Sequence, residues 1–217
     1  YSAERRLAVL KPLKVVIENF PEGKIEWLPA LNNPNSDKQE QREIPFSREI
    51  WIEHDDFMEE PSKKFFRLAP GKEVRLRYAF FVTCNAVIKD EDGEIVELRC
   101  SYDPETRGGN APDGRKVKGT IHWVSAEHAK DAEVRIYNSF YNTPSPGRER
   151  DFIEDINPNS LEVLENCKIE PDLITLDVNI PIQFERLGYF YKDPDTTPKK
   201  HIYNRTISLR DTWNKKL

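Results

Sequence analysis

The sequence predicts an all-β protein built from two tandem antiparallel β-barrels. Short runs rich in valine, isoleucine, phenylalanine and tyrosine alternate with turn-forming clusters along the 217 residues, a pattern typical of many short strands. Sixteen prolines and nine glycines mark the turns between these runs. An open antiparallel sheet of this length would leave unpaired edges, so we expect one or two barrels or sandwiches, and two barrels are our prediction.

The first predicted strands cover residues 13–19, 25–28 and 48–53, each a short apolar run bounded by turn residues. Residues 74–82 follow with a period of two, because Val74 and Leu76 alternate with Arg75 and Arg77. This alternation predicts one continuous strand with both arginines on one face.

A hairpin is predicted next, since residues 87–89 and 94–100 flank an Asp-Gly pair that suits a tight turn. Later strands are predicted at residues 119–124, 133–140, 183–192 and 201–209. Helical patterns are limited to single turns at residues 55–60, 125–130 and 159–165, too short to organise a fold.

The adjacent acids Asp55 and Asp56 point apart in any regular structure, so we expect them on the solvated surface.

Composition excludes several classes of protein. Charged residues make up 33% of the chain and aromatic residues 11%, at a mean hydropathy of -0.73, which indicates a folded protein with a polar surface. No apolar run approaches the roughly 20 residues of a membrane span. The start of the chain shows no apolar signal region and the only methionine is Met58, so we expect a piece of a longer protein.

The cysteines and histidines predict no disulfide, metal site or cofactor. Cys84, Cys100 and Cys167 are widely spaced, which favours a reducing, cytoplasmic environment, and the four histidines form no ligand pair. Cys84 lies in an apolar run and is expected in the core. The chain contains neither GxGxxG nor GxxxxGK[ST], so no catalytic residue is predicted.

Charge is unevenly distributed, although the net charge is only -5. Residues 63–77 carry six cationic side chains and one acid, whereas residues 149–172 carry eight acids and two bases. Phe65 and Phe66 lie among the cations, and rings that stack on bases beside guanidinium groups are typical of a surface that binds single-stranded RNA. The alternative is a solvated charged sheet face with phenylalanines in the core, and these residues alone leave it open.

The sequence resembles the C-terminal anticodon-binding region of bacterial-type glutaminyl-tRNA synthetases, which are class I aminoacyl-tRNA synthetases. The similarity covers about residues 4–214. It is carried by Glu49-Ile50-Trp51-Ile52-Glu53, Gly71-Lys72-Glu73-Val74-Arg75-Leu76-Arg77, Asp113-Gly114-Arg115-Lys116-Val117-Lys118-Gly119, Ile121-His122-Trp123-Val124-Ser125-Ala126, Gln183-Phe184-Glu185-Arg186, Asn204-Arg205-Thr206 and Leu209-Arg210-Asp211-Thr212-Trp213.

The resemblance implies a proximal barrel at residues 1–118 plus 193–217 and a distal barrel at residues 119–192. The segment from Asn204 to Trp213 would return to the proximal barrel. It also implies that the partners are the tRNA-Gln anticodon loop and an N-terminal catalytic domain of the same polypeptide. A monomer is the default expectation for such a fragment, and no membrane contact is expected. The catalytic domain would use ATP with Mg²⁺; its HIGH-like and KMSKS-like signatures do not occur in this sequence, so the chain alone should be inactive.

Site residues follow from the resemblance position by position. Arg5 and Gln183 match the pair that reads the middle anticodon base, Arg67 matches the residue for the third base and Arg75 the residue for the first. The remaining matches line the same region, namely Pro34, Asn35, Arg77 and Arg186. Lys64 and Phe66 stand where the family carries glutamine and lysine, which implies contacts by charge and stacking near the third base.

Two alternatives accompany this interpretation. The related glutamyl-tRNA synthetases of archaea and eukaryotes use similar barrels, and the setting of Gln183 in Gln183-Phe184-Glu185-Arg186 favours glutamine. A non-catalytic β-barrel that binds protein partners through its charged faces is the second alternative; it would bind scrambled RNA as well as tRNA-Gln.

Overall fold

The structure, a computed structural model, describes residues 3–209. In this range the chain is almost entirely strand and turn, which confirms the all-β prediction. The strands are β1 Glu4–Arg6, β2 Ala8–Val9, β3 Pro12–Ile17, β4 Glu26–Leu31, β5 Gln41–Phe46, β6 Glu49–Glu53, β7 Glu73–Leu76, β8 Phe81–Lys89, β9 Ile95–Asp103, β10 Thr120–Ile121, β11 Trp123–Ser125, β12 Lys130–Tyr137, β13 Leu161–Ile169, β14 Ile182–Phe184, β15 Gly188–Lys192 and β16 His201–Ser208. Short 3-10 turns lie at His54–Asp56, Pro104–Thr106, Phe152–Asp155 and Pro171–Thr175. No helix among residues 3–209 is long and apolar enough to cross a membrane.

The strands form two seven-stranded sheets and a two-stranded ribbon, β4–β5. The first sheet has the order β10-β7-β8-β9-β3-β6-β11, and the second has the order β1-β14-β15-β16-β12-β13-β2. In each sheet the two edge strands are consecutive in the chain, separated only by His122 in the first and by Leu7 in the second. The two edges therefore meet at a single residue, and each sheet curls into a nearly closed barrel, which confirms the prediction of two barrels. The barrels are not purely antiparallel as predicted, because each sheet includes two parallel pairs: β7–β10 and β3–β9 in the first, β1–β14 and β12–β16 in the second.

Each barrel encloses its own hydrophobic core. In the first, Phe46 of the ribbon packs edge-on against Phe20 and Trp123, with ring centroids 5.1 and 5.0 Å apart. In the second, Phe184 and Phe190 stack at 4.1 Å. Because the ribbon contributes Phe46 to the first core, it is fixed to that barrel by packing.

The predicted hairpin is confirmed by the antiparallel pairing of β8 and β9, with Gly93 at a φ of 85° in the turn. The predicted continuous strand at 74–82 is wrong, because β7 and β8 form an antiparallel hairpin that turns at Tyr78, whose φ is 64°. The prediction for 183–192 fails in the same way, since Arg186 has a φ of 68° between β14 and β15. Residues other than glycine rarely adopt this left-handed backbone conformation. The alternation of side chains therefore gave no indication that either strand is interrupted by a turn.

Two further elements differ from the prediction. The helical turn expected at residues 159–165 is not formed, because residues 161–165 belong to strand β13, which pairs with β12 and β2. Strand β5 was not predicted and pairs with β4 along its whole length. Cys84 is fully buried, as expected, and lies opposite Cys100 on β9.

Sheet membership divides the chain differently from the expected boundaries. β16 pairs with β12 and β15 in the second barrel, so residues 201–208 do not return to the first barrel; residues 210–213 lie outside the described residues. β1 and β2 also join the second barrel, whereas β10 and β11 complete the first. The first and last strands of the described residues belong to the second barrel because β1 pairs in parallel with β14 and β16 pairs in parallel with β12.

Candidate nucleic-acid interface

Arg5 and Gln183 lie directly opposite each other on the parallel strands β1 and β14. Their neighbours Arg6, Ile182 and Phe184 are buried, so the alternation of a strand places Arg5 and Gln183 on the outer face. Both are partly exposed. The guanidinium and the amide can therefore approach one ligand from adjacent strands.

The loop that carries Pro34 and Asn35 connects β4 to β5 beside this pair. Asn32 closes the base of the loop, because its N–H donates to the carbonyl of Glu40 at 2.9 Å and its own carbonyl accepts the N–H of Arg5 at 2.6 Å. Within the loop, the N–H of Asn35 donates to Asn33 Oδ1 at 2.9 Å. The backbone bond between Asn32 and Arg5 thus places the loop against β1.

A buried ion-pair network holds the ribbon against the second barrel. Arg42 on β5 binds Glu170 through two hydrogen bonds of 2.7 and 3.0 Å. Arg6 on β1 lies 3.3 Å from the same carboxylate and 2.8 Å from Asp172. The side chains of Arg6, Arg42 and Glu170 are 2%, 5% and 3% exposed. This network fixes the Pro34 loop relative to Arg5, and no pattern in the sequence indicates it.

Arg67 and Arg186 converge on the carboxylate of Asp56. Arg67 Nε lies 3.2 Å from Asp56 Oδ1, and Arg186 Nη2 donates to the same oxygen at 2.7 Å. Arg186 Nη1 also lies 3.0 Å from His122 Nδ1. Asp56 is only 1% exposed, so its expected surface position is wrong: the 3-10 turn at His54–Asp56 directs it into the junction of the two barrels. The two arginines stay about one-third exposed and are held in fixed orientations.

Arg77 and Tyr78 meet Glu185 across the same junction. Arg77 Nε lies 2.9 Å from Glu185 Oε2, and the Tyr78 hydroxyl donates to the other carboxylate oxygen. The Arg77 guanidinium also lies over the Tyr78 ring, 4.9 Å from its centroid. Burial raises the pKa of Tyr78 to about 12, and the charge of Glu185 adds to the effect. The two turns with left-handed backbone, at Tyr78 and Arg186, are therefore held against each other by charge.

Arg75 lies over the ring of Phe81, 5.4 Å from its centroid. A Cβ at Gly109 would come within 2.9 Å of Arg75 Cδ, so only glycine allows this packing. Arg75 Nε is buried without a hydrogen-bond partner. Among residues 3–209, neither Arg75 nor Arg5 forms an ion pair, whereas Arg67, Arg77 and Arg186 do.

The basic aromatic segment is exposed. Lys63 and Lys64 face solvent, and Phe66 is 52% exposed with Lys118 Nζ lying 5.1 Å from its ring centroid. The position of Phe66 argues against the alternative in which the phenylalanines serve the core. An exposed ring flanked by cations is suited to stacking on a base.

A family model described as "tRNA synthetases class I (E and Q), anti-codon binding domain" matches residues 3–103, and a second with the same description matches residues 120–193. The chain belongs to this family. The anticodon-binding domain is similar to proteins named glutamine–tRNA ligase from Bradyrhizobium diazoefficiens, Nitrobacter winogradskyi and Aliivibrio fischeri, at 59%, 56% and 51% identity over 100%, 99% and 98% of the chain. The domain spans 38% of the length of each of these relatives.

The predicted site residues of the anticodon-binding domain lie along one connected path. Arg75 and Arg77 lie two residues apart, and their N–H groups donate to the carbonyls of Gly119 and Ile121. Arg77 contacts Glu185, the neighbour of Arg186, and Gln183 lies on the first strand of the same hairpin. Arg5 and the Pro34 loop follow through backbone pairing. The structure thus links residues from distant parts of the sequence by contacts at and beside the junction of the two barrels.

Sequence reasoning missed the acids that organise this path, which are Asp56, Glu185 and Glu170. Acidic residues in a charged sequence resemble ordinary solvated surface. Only their burial distinguishes them, and burial depends on contacts with distant segments.

Proposed function

We propose that this domain binds the anticodon loop of tRNA-Gln as part of a glutamine–tRNA ligase. The observation that carries the proposal is the juxtaposition of Arg5 and Gln183 on one outer face beside the Pro34 loop. A guanidinium offers a fork of donors, and an amide offers a donor and an acceptor. Together they complement the edge of a base that has left the helical stack, as anticodon bases can.

The distribution of charge supports distinct roles for the arginines. Arg5 and Arg75 form no ion pair among the described residues, so their charges are available to a base edge or a phosphate. Arg67, Arg77 and Arg186 are anchored by Asp56 and Glu185, which orients their remaining N–H groups at low entropic cost. We infer that Arg67 reads the third base and Arg75 the first.

The full-length ligase would attach glutamine to tRNA-Gln with ATP and Mg²⁺ in a catalytic domain outside this chain. The domain described here would contribute recognition and no chemical step. The expected cellular site is the cytoplasm, with the ligase acting as a monomer.

The first experiment measures fluorescence anisotropy of labelled RNA stem-loops with this chain at about 50 mM and about 200 mM salt. One stem-loop carries the tRNA-Gln anticodon, one has a changed middle base, one carries a glutamate anticodon and one is scrambled. We expect the tightest binding to the cognate loop, weaker binding at higher salt, and loss of the middle-base preference in Gln183→Ala.

Arg75→Ala should weaken cognate binding by about 1–3 kcal/mol and relax the preference at the first base. Arg99→Ala is the matched control, because Arg99 lies in the same barrel, is similarly exposed and pairs with Glu97 outside the proposed path. Equal weakening on every loop would make Arg75 a phosphate contact. Equal binding of cognate and scrambled loops, or no binding at low salt, would refute the proposed function, and preference for the glutamate loop would favour the glutamyl alternative.

A further inference from the structure

Tyr189 occupies the position next to Gln183 in the same cross-strand row. In the second barrel the register aligns Arg5 on β1, Gln183 on β14, Tyr189 on β15 and Ile207 on β16. Directly paired residues of neighbouring strands project from the same face of a sheet, with Cβ atoms about 5 Å apart. The row therefore presents a cation, an amide, an aromatic ring and an aliphatic side chain in sequence.

Burial confirms that this row faces outward. Phe190, which follows Tyr189 on β15, is fully buried and stacks on Phe184. Tyr189 itself is partly exposed, and Ile207 is 63% exposed. Among residues 3–209, no hydrogen bond, ion pair or ring contact holds the Tyr189 side chain. Its ring thus serves neither the core nor the polar networks of the junction.

We propose that Tyr189 is a stacking platform for the middle anticodon base, with Ile207 extending the apolar surface; this inference rests on the proposed function. Arg5 and Gln183 can satisfy the edge of an unstacked base, but its π-face would stay in water unless an apolar group covered it. Tyr189 is the aromatic side chain that the sheet register places beside Gln183. Stacking on aromatic rings tolerates any base, so Tyr189 would add affinity while Gln183 supplies the discrimination.

The test compares the binding of Tyr189→Ala and Tyr189→Phe to the cognate stem-loop. Tyr189→Ala should lower affinity by roughly 5- to 150-fold, the range for losing one base–aromatic stack. Tyr189→Phe should bind like the unmodified chain, because the ring face is kept. Tyr191→Ala is the matched control: Tyr191 lies two residues further along β15, is 39% exposed and pairs with Asn204, away from Gln183.

A stem-loop with an abasic nucleotide at the middle position separates stacking from a structural role. If Tyr189 stacks on that base, the unmodified chain and Tyr189→Ala should bind the abasic loop equally, because the partner of the ring has been removed. Equal weakening on the abasic and cognate loops would overturn the inference.

The inference and the proposed function fail in different ways. If Gln183→Ala loses middle-base preference while Tyr189→Ala binds normally, only the role of Tyr189 is refuted. If neither variant changes binding, the proposed function is refuted as well. A loss in Tyr191→Ala equal to that in Tyr189→Ala would also contradict the inference, because it would indicate general damage to β15.

Discussion

Glu170 is predicted to be a main contributor to the stability of the contact between the ribbon and the second barrel. The substitution Glu170→Gln keeps the size of the side chain but removes the charge that Arg42 and Arg6 share. Removing one partner of a buried ion pair costs about 3–5 kcal/mol, because the other charge stays buried without compensation.

The structure places the expected loss at the lower end of this range. Arg6 keeps Asp172 at 2.8 Å and Glu4 at 3.0 Å. Arg42 keeps only the carbonyl of Leu31 at 3.2 Å and Asn32 Oδ1 at 3.4 Å. We therefore expect the free energy of unfolding to fall by about 3 kcal/mol. For a chain of this size that corresponds to a decrease in Tm of roughly 6–12 °C.

The assay is equilibrium unfolding in urea followed by tryptophan fluorescence, with a thermal melt for Tm. Asp131→Asn is the control, because Asp131 pairs with Lys168 at the surface with its side chain 80% exposed, and such pairs are worth about 1 kcal/mol or less. The double variant Glu170→Gln/Arg42→Met removes both charges and should be less destabilised than the sum of the single variants. A loss in Glu170→Gln no larger than that in Asp131→Asn, or strictly additive losses, would refute the reasoning.

Two further predictions concern the junction and the first-base site. The pKa of Tyr78 is about 12 in the folded protein, and its ordinary value is 10.0. The stability that this difference contributes is complete below pH 10. As the pH rises towards 12, the free energy of unfolding should therefore fall by about 1–2 kcal/mol. Unfolding in urea across this window should show a smaller loss of stability in Tyr78→Phe; an identical loss would contradict the prediction. Gly109→Ala should displace Arg75 and weaken stem-loop binding. Gly108 is the control, because it has the same left-handed backbone but a Cβ there would have no neighbour within 4 Å. Both variants should lose about 1 kcal/mol of stability, whereas only Gly109→Ala should lose affinity for the stem-loop. Equal affinities of the two variants would show that the packing of Arg75 is not needed for binding.

Local pattern was sufficient for much of the fold. The Asp-Gly turn predicted the β8–β9 hairpin, because that pair adopts positive φ without strain. The same kind of reasoning failed at Tyr78 and Arg186, since neither residue type favours a left-handed turn. The contacts of these turns with Glu185 and Asp56 accompany the unusual backbone, and such contacts are invisible in a local window.

The candidate site was likewise predictable only in part from the sequence. The resemblance to a known family indicated Arg5 and Gln183, and the parallel register of β1 and β14 places them opposite each other. The role of Tyr189 had no counterpart in the sequence pattern, because only the register assigns it to the row of Gln183. The prediction that Asp56 lies on the surface was wrong for a related reason, since nothing about two adjacent acids indicates that one of them is buried.

The sequence by itself determined the β-rich character of the chain, the position of its tight glycine turns and the local excess of cations that points to an anionic ligand. Tertiary structure alone decided which of those cations are neutralised. Arg186 and Asp56, for example, are 130 positions apart and meet where the two barrels contact each other. An ion pair depends on the distance between two charges and on the burial of both, and neither quantity is set until distant segments of the chain pack together.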